Sequence, residues 1–209
     1  MLTTSDTSIR TSPGPSEDRA HAMELDDGLL FVIADGAGGV GGGRTAAEHF
    51  IAAVPTWAGE RPDDLLDPWT WCECLSNIDR DLYRTQNAGE STAVIIYVRD
   101  GLLAGASVGD SGAWLADGHG APIELTAAQV RTPRLGTGQC SPTPIGPLPA
   151  RGQLLLGTDG LFEYLGHDEL VDALEDENIE RSADALLEAV QLANEAFHDD
   201  VALIRGRLS

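Results

Sequence analysis

The sequence predicts a layered α+β or α/β-sandwich domain, with sheets inside and helix pairs outside. Three observations predict it. The elements run strands, two helices, a series of strands, two helices, one strand. The central strands are joined by hairpins, so the sheets are largely antiparallel, unlike the alternating pattern of a doubly wound parallel fold. The chain is 209 residues long, enough for one sizeable core and short for two; a single domain over 1–209 is expected.

The elements follow from local patterns. A first strand is expected around Thr7 to Arg10, before a Pro-Gly-Pro turn at 13–15. LLFVIA (29–34) is continuously apolar with β-branched residues, which marks a buried strand. A glycine cluster, DGAGGVGGG (35–43), stops it. Ala46, Ala47, Phe50, Ile51 and Val54 then recur at helical spacing. Asp67-Pro68 reads as an N-cap followed by proline at the first helical position. Trp71, Leu75, Ile78 and Leu82 form the stripe of that second helix. TAVIIYV (92–98) and LLAGASV (102–108) are strands around the hairpin signal Asp100-Gly101. GAWLA (112–116) is a third. The proline-rich stretch 126–150 reads as irregular, and Gln153 to Leu156 as strand. Two helices are expected near 167–175 and 181–197, the second burying Ala183, Leu186, Leu187, Val190, Ala193 and Phe197. VALIRG (201–206) is the last strand.

Composition excludes several chemistries. All 13 basic residues are arginine, so Schiff-base and P-loop lysines are ruled out. The net charge of −21 repels nucleic acid and anionic membranes and attracts cations. No apolar run suits a membrane span and no signal peptide is expected. Three cysteines, Cys72, Cys74 and Cys140, fit reduced thiols in a cytoplasmic protein. Cys72 and Cys74 read as helix-face thiols, and Trp57, Trp69 and Trp71 as core or helix-packing residues. The acidic run 168–180 reads as a solvated helix face.

Aspartates recur at strand ends: Glu17-Asp18, Asp35-Gly36, Gly109-Asp110-Ser111, Thr158-Asp159-Gly160 and Asp199-Asp200. Singly, such residues cap helices and begin turns. Yet LLFVIAD and QLLLGTD run apolar strands straight into a carboxylate, and HDDVALI does the reverse. If those strands are neighbours, Asp35, Asp159 and Asp199 converge at one sheet edge. Carboxylates so close stay partly protonated unless a cation neutralises them, and hard oxygen ligands suit Mg²⁺ or Mn²⁺. Two such ions would activate a water and clamp a phosphoryl oxygen.

EDR, FVIADGAGG, STAVIIYV, GASVGDSGAWL, LLLGTDGLFEYL and DDVALI, in this order, resemble the metal-dependent protein phosphatase family (protein phosphatase 2C type), in a short, bacterial-like form. The resemblance spans about 17–205. It implies a central antiparallel β-sandwich flanked by pairs of α-helices, in α-β-β-α layers. It implies Mg²⁺- or Mn²⁺-dependent hydrolysis of phosphoserine or phosphothreonine in a phosphorylated protein partner; a monomer is expected, although the sequence does not fix the oligomeric state. Asp35 matches the aspartate bridging two metals, and Gly36 the glycine whose carbonyl binds one. Asp159 and Asp199 match the other metal carboxylates, making Asp35, Asp159 and Asp199 the expected catalytic set. Glu17 and Asp18 match the acidic pair that holds metal-shell waters or one metal directly. Asp110 matches the aspartate that, with Asp159, binds a third, weaker ion.

Departures from the family pattern also show. Pro13 stands where many members carry a phosphate-gripping arginine; Arg10, Arg19 and Arg44 are the candidate substitutes. Ala37 stands where some have histidine. The segment between GDS and TDGL is short. These departures leave two alternatives: a non-catalytic phosphoprotein-binding regulator of the same fold, and a phosphatase for a small phosphorylated metabolite.

Overall fold

Two five-stranded antiparallel sheets pack face to face, with helices on both outer faces. The structure is a computed structural model, and it describes residues 6–25, 28–37 and 42–208. Part of the glycine cluster, 38–41, lies outside the described residues.

The strands are β1 (Thr7–Thr11), β2 (Arg19–Leu25), β3 (Gly28–Ala34), β4 (Gly36–Ala37), β5 (Glu90–Ser91), β6 (Ala93–Arg99), β7 (Leu102–Val108), β8 (Gly112–Ala116), β9 (Ile123–Glu124), β10 (Thr143–Pro149), β11 (Gly152–Gly157) and β12 (Ala202–Leu208). The helices are α1 (Gly42–Gly59), α2 (Pro68–Arg84), α3 (Asp159–Phe162), α4 (His167–Glu175) and α5 (Ile179–Ala189). One sheet has the order β1-β12-β11-β8-β9 and the other β10-β7-β6-β3-β2; β4 and β5 form a short separate ribbon.

β3 shows why its sequence is apolar throughout. Its alternate residues face opposite ways. Phe31 and Ile33 join the core between the sheets, with Leu154, Leu156 and Ile204. Leu30, Val32 and Ala34 join the core under α1 and α2, with Phe50, Trp71 and Leu75. A third core, with Leu155 and Leu203 against Leu170, Leu174 and Leu186, holds α4 and α5 on the opposite face. The α-β-β-α layering is therefore present.

Helix α2 starts as its sequence indicates: Asp67 Oδ1 accepts from the Trp69 N–H at 3.0 Å. The β6–β7 hairpin turns at Asp100 (φ 52°) and Gly101 (φ 72°), the positive-φ pair of a tight two-residue turn.

Several elements differ from expectation. β2 is not anticipated: RAHAMEL lacks a clean alternation because it is an outer strand, only partly buried. The stretch 126–150 is not wholly irregular. β10 crosses it as an edge strand beside β7, a place where prolines break no central ladder. The last helix stops at Ala189 rather than 197; Ala193 is exposed, and Phe197 packs from a following turn. α3 is a further short helix. Trp69 is no core residue, being 65% exposed, whereas Trp71 is fully buried. Cys72 and Cys74 do lie on the buried side of α2.

Candidate metal centre

Strand ends from both sheets gather acidic motifs at one end of the sandwich, so the carboxylates meet between the two sheets and not at the edge of one. Asp35 follows β3, Asp110 follows β7, and Asp159 follows β11. One carboxylate oxygen from each of Asp35, Asp110 and Asp159 lies within 4.8 Å of the others. Asp18 immediately precedes β2, whose first residue Arg19 pairs with Ala34, next to Asp35. Asp199 and Asp200 lie just before β12, separated from it by Val201.

The backbone around these residues is tightly fixed. The Asp35 N–H donates to Thr92 Oγ1 at 2.8 Å. The Asp35 carbonyl accepts from the Thr92 N–H at 2.9 Å and from Ser91 Oγ at 3.0 Å. Thr92 Oγ1 also shares a 2.6 Å hydrogen bond with Ser111 Oγ, next to Asp110. On the other sheet, Thr158 Oγ1 accepts from the Ala202 N–H at 3.0 Å, joining the Asp159 and Asp199 strands. The Glu17 N–H donates to Asp200 Oδ2 at 2.9 Å.

Two glycines are required by close approach. A Cβ on Gly36 would collide with the Gly43 backbone and the Glu17 carbonyl. A Cβ on Gly160 would collide with the Asp200 carbonyl. The first collision explains the glycine after Asp35, and the second the glycine after Asp159.

Burial and mutual repulsion make the carboxyls of this cluster hard to ionise. Asp18 is 4% exposed, and its Oδ2 has no hydrogen-bond partner. Burial first, and then the Asp35 charge, push the Asp18 carboxyl up to about 8. Burial and then Asp159 push Asp35 up to about 6. Asp159 is raised by burial, and further by Asp110 and Asp199. Buried carboxylates this close resist ionising together unless a cation neutralises them. An orphaned buried carboxylate oxygen within a set of hard oxygen donors fits Mg²⁺ or Mn²⁺.

Two of the candidate phosphate-binding arginines, Arg10 and Arg19, pair elsewhere. Arg10 pairs with Asp184 on α5 at 2.5 Å. Arg19 pairs with Glu48 at 2.5 Å and caps the Ser16 and Asp18 carbonyls. Arg44 lies half-buried in the first turn of α1. The guanidinium that does reach the cluster is Arg134, whose Nη2 lies 3.1 and 3.0 Å from the two Asp110 oxygens. Arg131 approaches the same carboxylate at 3.4 Å. Sequence reasoning missed both, since they sit in the stretch read as irregular. It also missed Ser91 and Ser111, for which a hydroxyl beside an acidic motif was the only signal.

Neither a protein-family model nor a curated protein sequence matches the chain. Solved structures do match. The serine/threonine phosphatase Stp1 from Staphylococcus aureus superposes with a TM-score of 0.77 at 19% identity, over 99% of this chain and 96% of that one. The serine/threonine phosphatase PstP/Ppp from Mycobacterium tuberculosis superposes with a TM-score of 0.76 at 20% identity, over 98% of this chain and 99% of that one. The fold is that of the bacterial serine/threonine phosphatases. The PstP catalytic domain in complex with two manganese ions shares this phosphatase fold too, with a TM-score of 0.77 at 20% identity over 98% of each chain. Among the described residues, no helix is long and apolar enough to cross a membrane.

Proposed function

We propose that this chain is a metal-dependent serine/threonine protein phosphatase of the protein phosphatase 2C type, acting on phosphorylated proteins. The observation that carries this reading is the buried, unpartnered Asp18 Oδ2 beside carboxylates crowded within 4.8 Å. The phosphatase fold supports it, as do the two manganese ions in one structural neighbour.

Asp35, Asp159 and Asp199, with Asp18, Glu17 and the Gly36 carbonyl, are the residues that would hold a pair of Mg²⁺ or Mn²⁺ ions. When bound, such a binuclear centre supplies a nucleophilic water at neutral pH and neutralises phosphoryl oxygens. The chain's own contribution is preorganisation. Asp35 is pinned through both its N–H and its carbonyl by Ser91 and Thr92. Asp159 opens α3, and Gly160 lets it close on Asp199 and Asp200. In the metal-free chain, burial and the Asp35 charge raise the Asp18 carboxyl to about 8. Ala37 carries no acid, so it does not protonate the leaving alkoxide.

The test is phosphate release from a phosphoserine peptide with added Mn²⁺. Release should be abolished by chelator and fall to background in Asp159→Asn. Activity indifferent to both would overturn the proposal. One observation favours a second reading, a phosphoprotein-binding regulator of the same fold: neither Arg10 nor Arg19 turns toward the cluster. Phosphopeptide binding without phosphate release would establish that reading instead.

A further inference from the structure

Arg134 is delivered to the acidic cluster by a clamped loop. Asp79, on α2 and 3% exposed, accepts backbone N–H bonds from Gly136 at 2.8 Å, Gly138 at 2.9 Å and Cys140 at 3.1 Å. A buried carboxylate with three backbone donors is a strong, charge-assisted anchor. Upstream of that anchor, Leu135 is fully buried and exchanges both backbone hydrogen bonds with Ser91, at 2.9 and 3.0 Å. Ser91 in turn holds the Asp35 carbonyl. The residue next to this bridge is Arg134, so its backbone is fixed relative to Asp35.

Its side chain is enclosed. Arg134 is 22% exposed and Asp110 is 10% exposed. The Arg134 Nε is buried with no hydrogen-bond partner. A guanidinium that gives up hydration at one donor is held there by charge. That charge is Asp110, whose oxygens lie close to those of Asp35 and Asp159. Arg131, 68% exposed and shared with Glu163, is screened by solvent and contributes little.

We infer that Arg134 is a built-in cation of the carboxylate cluster, which occupies Asp110 and so withholds it from divalent metal, with Asp79 as the residue that positions the loop. The inference rests on the metal-dependent reading above. Its consequence is a limit on metal number. Asp35, Asp110 and Asp159 are spaced to hold a common ion, and the guanidinium competes for that place. Removing it exposes a carboxylate that seeks another cation.

The experiment is Mn²⁺ stoichiometry of the full chain by native mass spectrometry and titration calorimetry. The wild type should bind two ions. Arg134→Gln should bind one more, and Arg134→Lys, which keeps a cation, the wild-type number. Asp110→Asn should also bind the wild-type number, because Asp110 is already occupied; this variant keeps the inference falsifiable if Arg134→Gln does not fold. Loss of an ion in Asp110→Asn overturns the inference. So does unchanged stoichiometry in folded Arg134→Gln, with the metal-dependent reading left standing. A wild type that binds no Mn²⁺ overturns both.

Discussion

The Glu17 N–H donates to Asp200 Oδ2 at 2.9 Å, across 183 residues of sequence. This bond ties the first acidic motif to the last. The same seam is closed beside it, where the Ser12 N–H meets the Val201 carbonyl at 2.8 Å and Ser12 Oγ accepts from the Val201 N–H at 3.1 Å. Asp200 is thus a structural partner of the neighbouring Asp199. Asp200→Ala leaves the Glu17 N–H unpaired at a part-buried site, and stability should fall by about 1 kcal/mol. Asp200→Asn retains a carbonyl acceptor and should stay close to wild type. Urea denaturation of the two variants checks this; equal losses would show that the bond is not what Asp200 contributes.

Thr92 serves two motifs with one hydroxyl. It accepts from the Asp35 N–H at a part-buried site and bonds Ser111 Oγ at a buried one. Thr92→Val keeps the shape and deletes the acceptor. It should cost about 1–3 kcal/mol, the penalty for stranding buried polar groups, and Mn²⁺ affinity should fall with it. Thr92→Ser should recover both. Denaturation and Mn²⁺ titration are the measurements.

The layers were legible because burial on two faces writes a continuous apolar run. β3 and β6 carry such runs, and the Asp100-Gly101 turn between β6 and β7 fixes their pairing. Edge strands carry no such mark. β2 alternates poorly because it is only part-buried, and β10 holds prolines that a central strand would exclude. Arg205 shows the limit within a recognised strand. Arg205, the lone charged residue in VALIRG, is fully buried. It donates to the Leu154 carbonyl at 2.8 Å and the Ala173 carbonyl at 2.7 Å, stitching α4 to the sheet. Those partners are distant in sequence, so no local pattern announces them.

Asp35, Asp110 and Asp159 were legible for a related reason: each follows a recognisable strand, whereas Asp18 precedes the unmarked β2. What supports them was not. Asp79 resembles any polar residue on an amphipathic helix until its three backbone donors are seen. Arg134 sits in a segment with no periodicity, placed only by that anchor.

Gly160 is a steric requirement. A Cβ there would collide with the Asp200 carbonyl, forcing the Thr158–Gly160 corner away from the start of β12. Gly160→Ala should lower the melting temperature by several degrees, about what 1–3 kcal/mol of strain produces, and weaken Mn²⁺ binding. Gly120→Ala is the control, since nothing lies within 4 Å of a Cβ there. Thermal melts with and without Mn²⁺ decide it; a Gly160→Ala protein indistinguishable from Gly120→Ala would contradict the proposed close packing.

The carboxyl shifts set a pH dependence whose sign is opposite to that of a salt-bridged aspartate. Asp35 is raised from 3.8 to about 6 and Asp18 from 3.8 to about 8. Between those limits the native metal-free chain binds more protons than the unfolded one, so its stability falls as pH rises. The penalty is absent below pH 3.8 and complete above about 8. Mn²⁺ competes with the same protons, so its apparent affinity should climb through this window, with protons released on binding. Asp18→Asn removes the larger titration, and its chelator-treated melting temperature should vary less between pH 5 and pH 8 than that of the wild type. Net repulsion from a charge of −21 is nearly the same in both proteins and cancels in the comparison. Equal pH slopes for the two would mean that burial does not raise the Asp18 carboxyl.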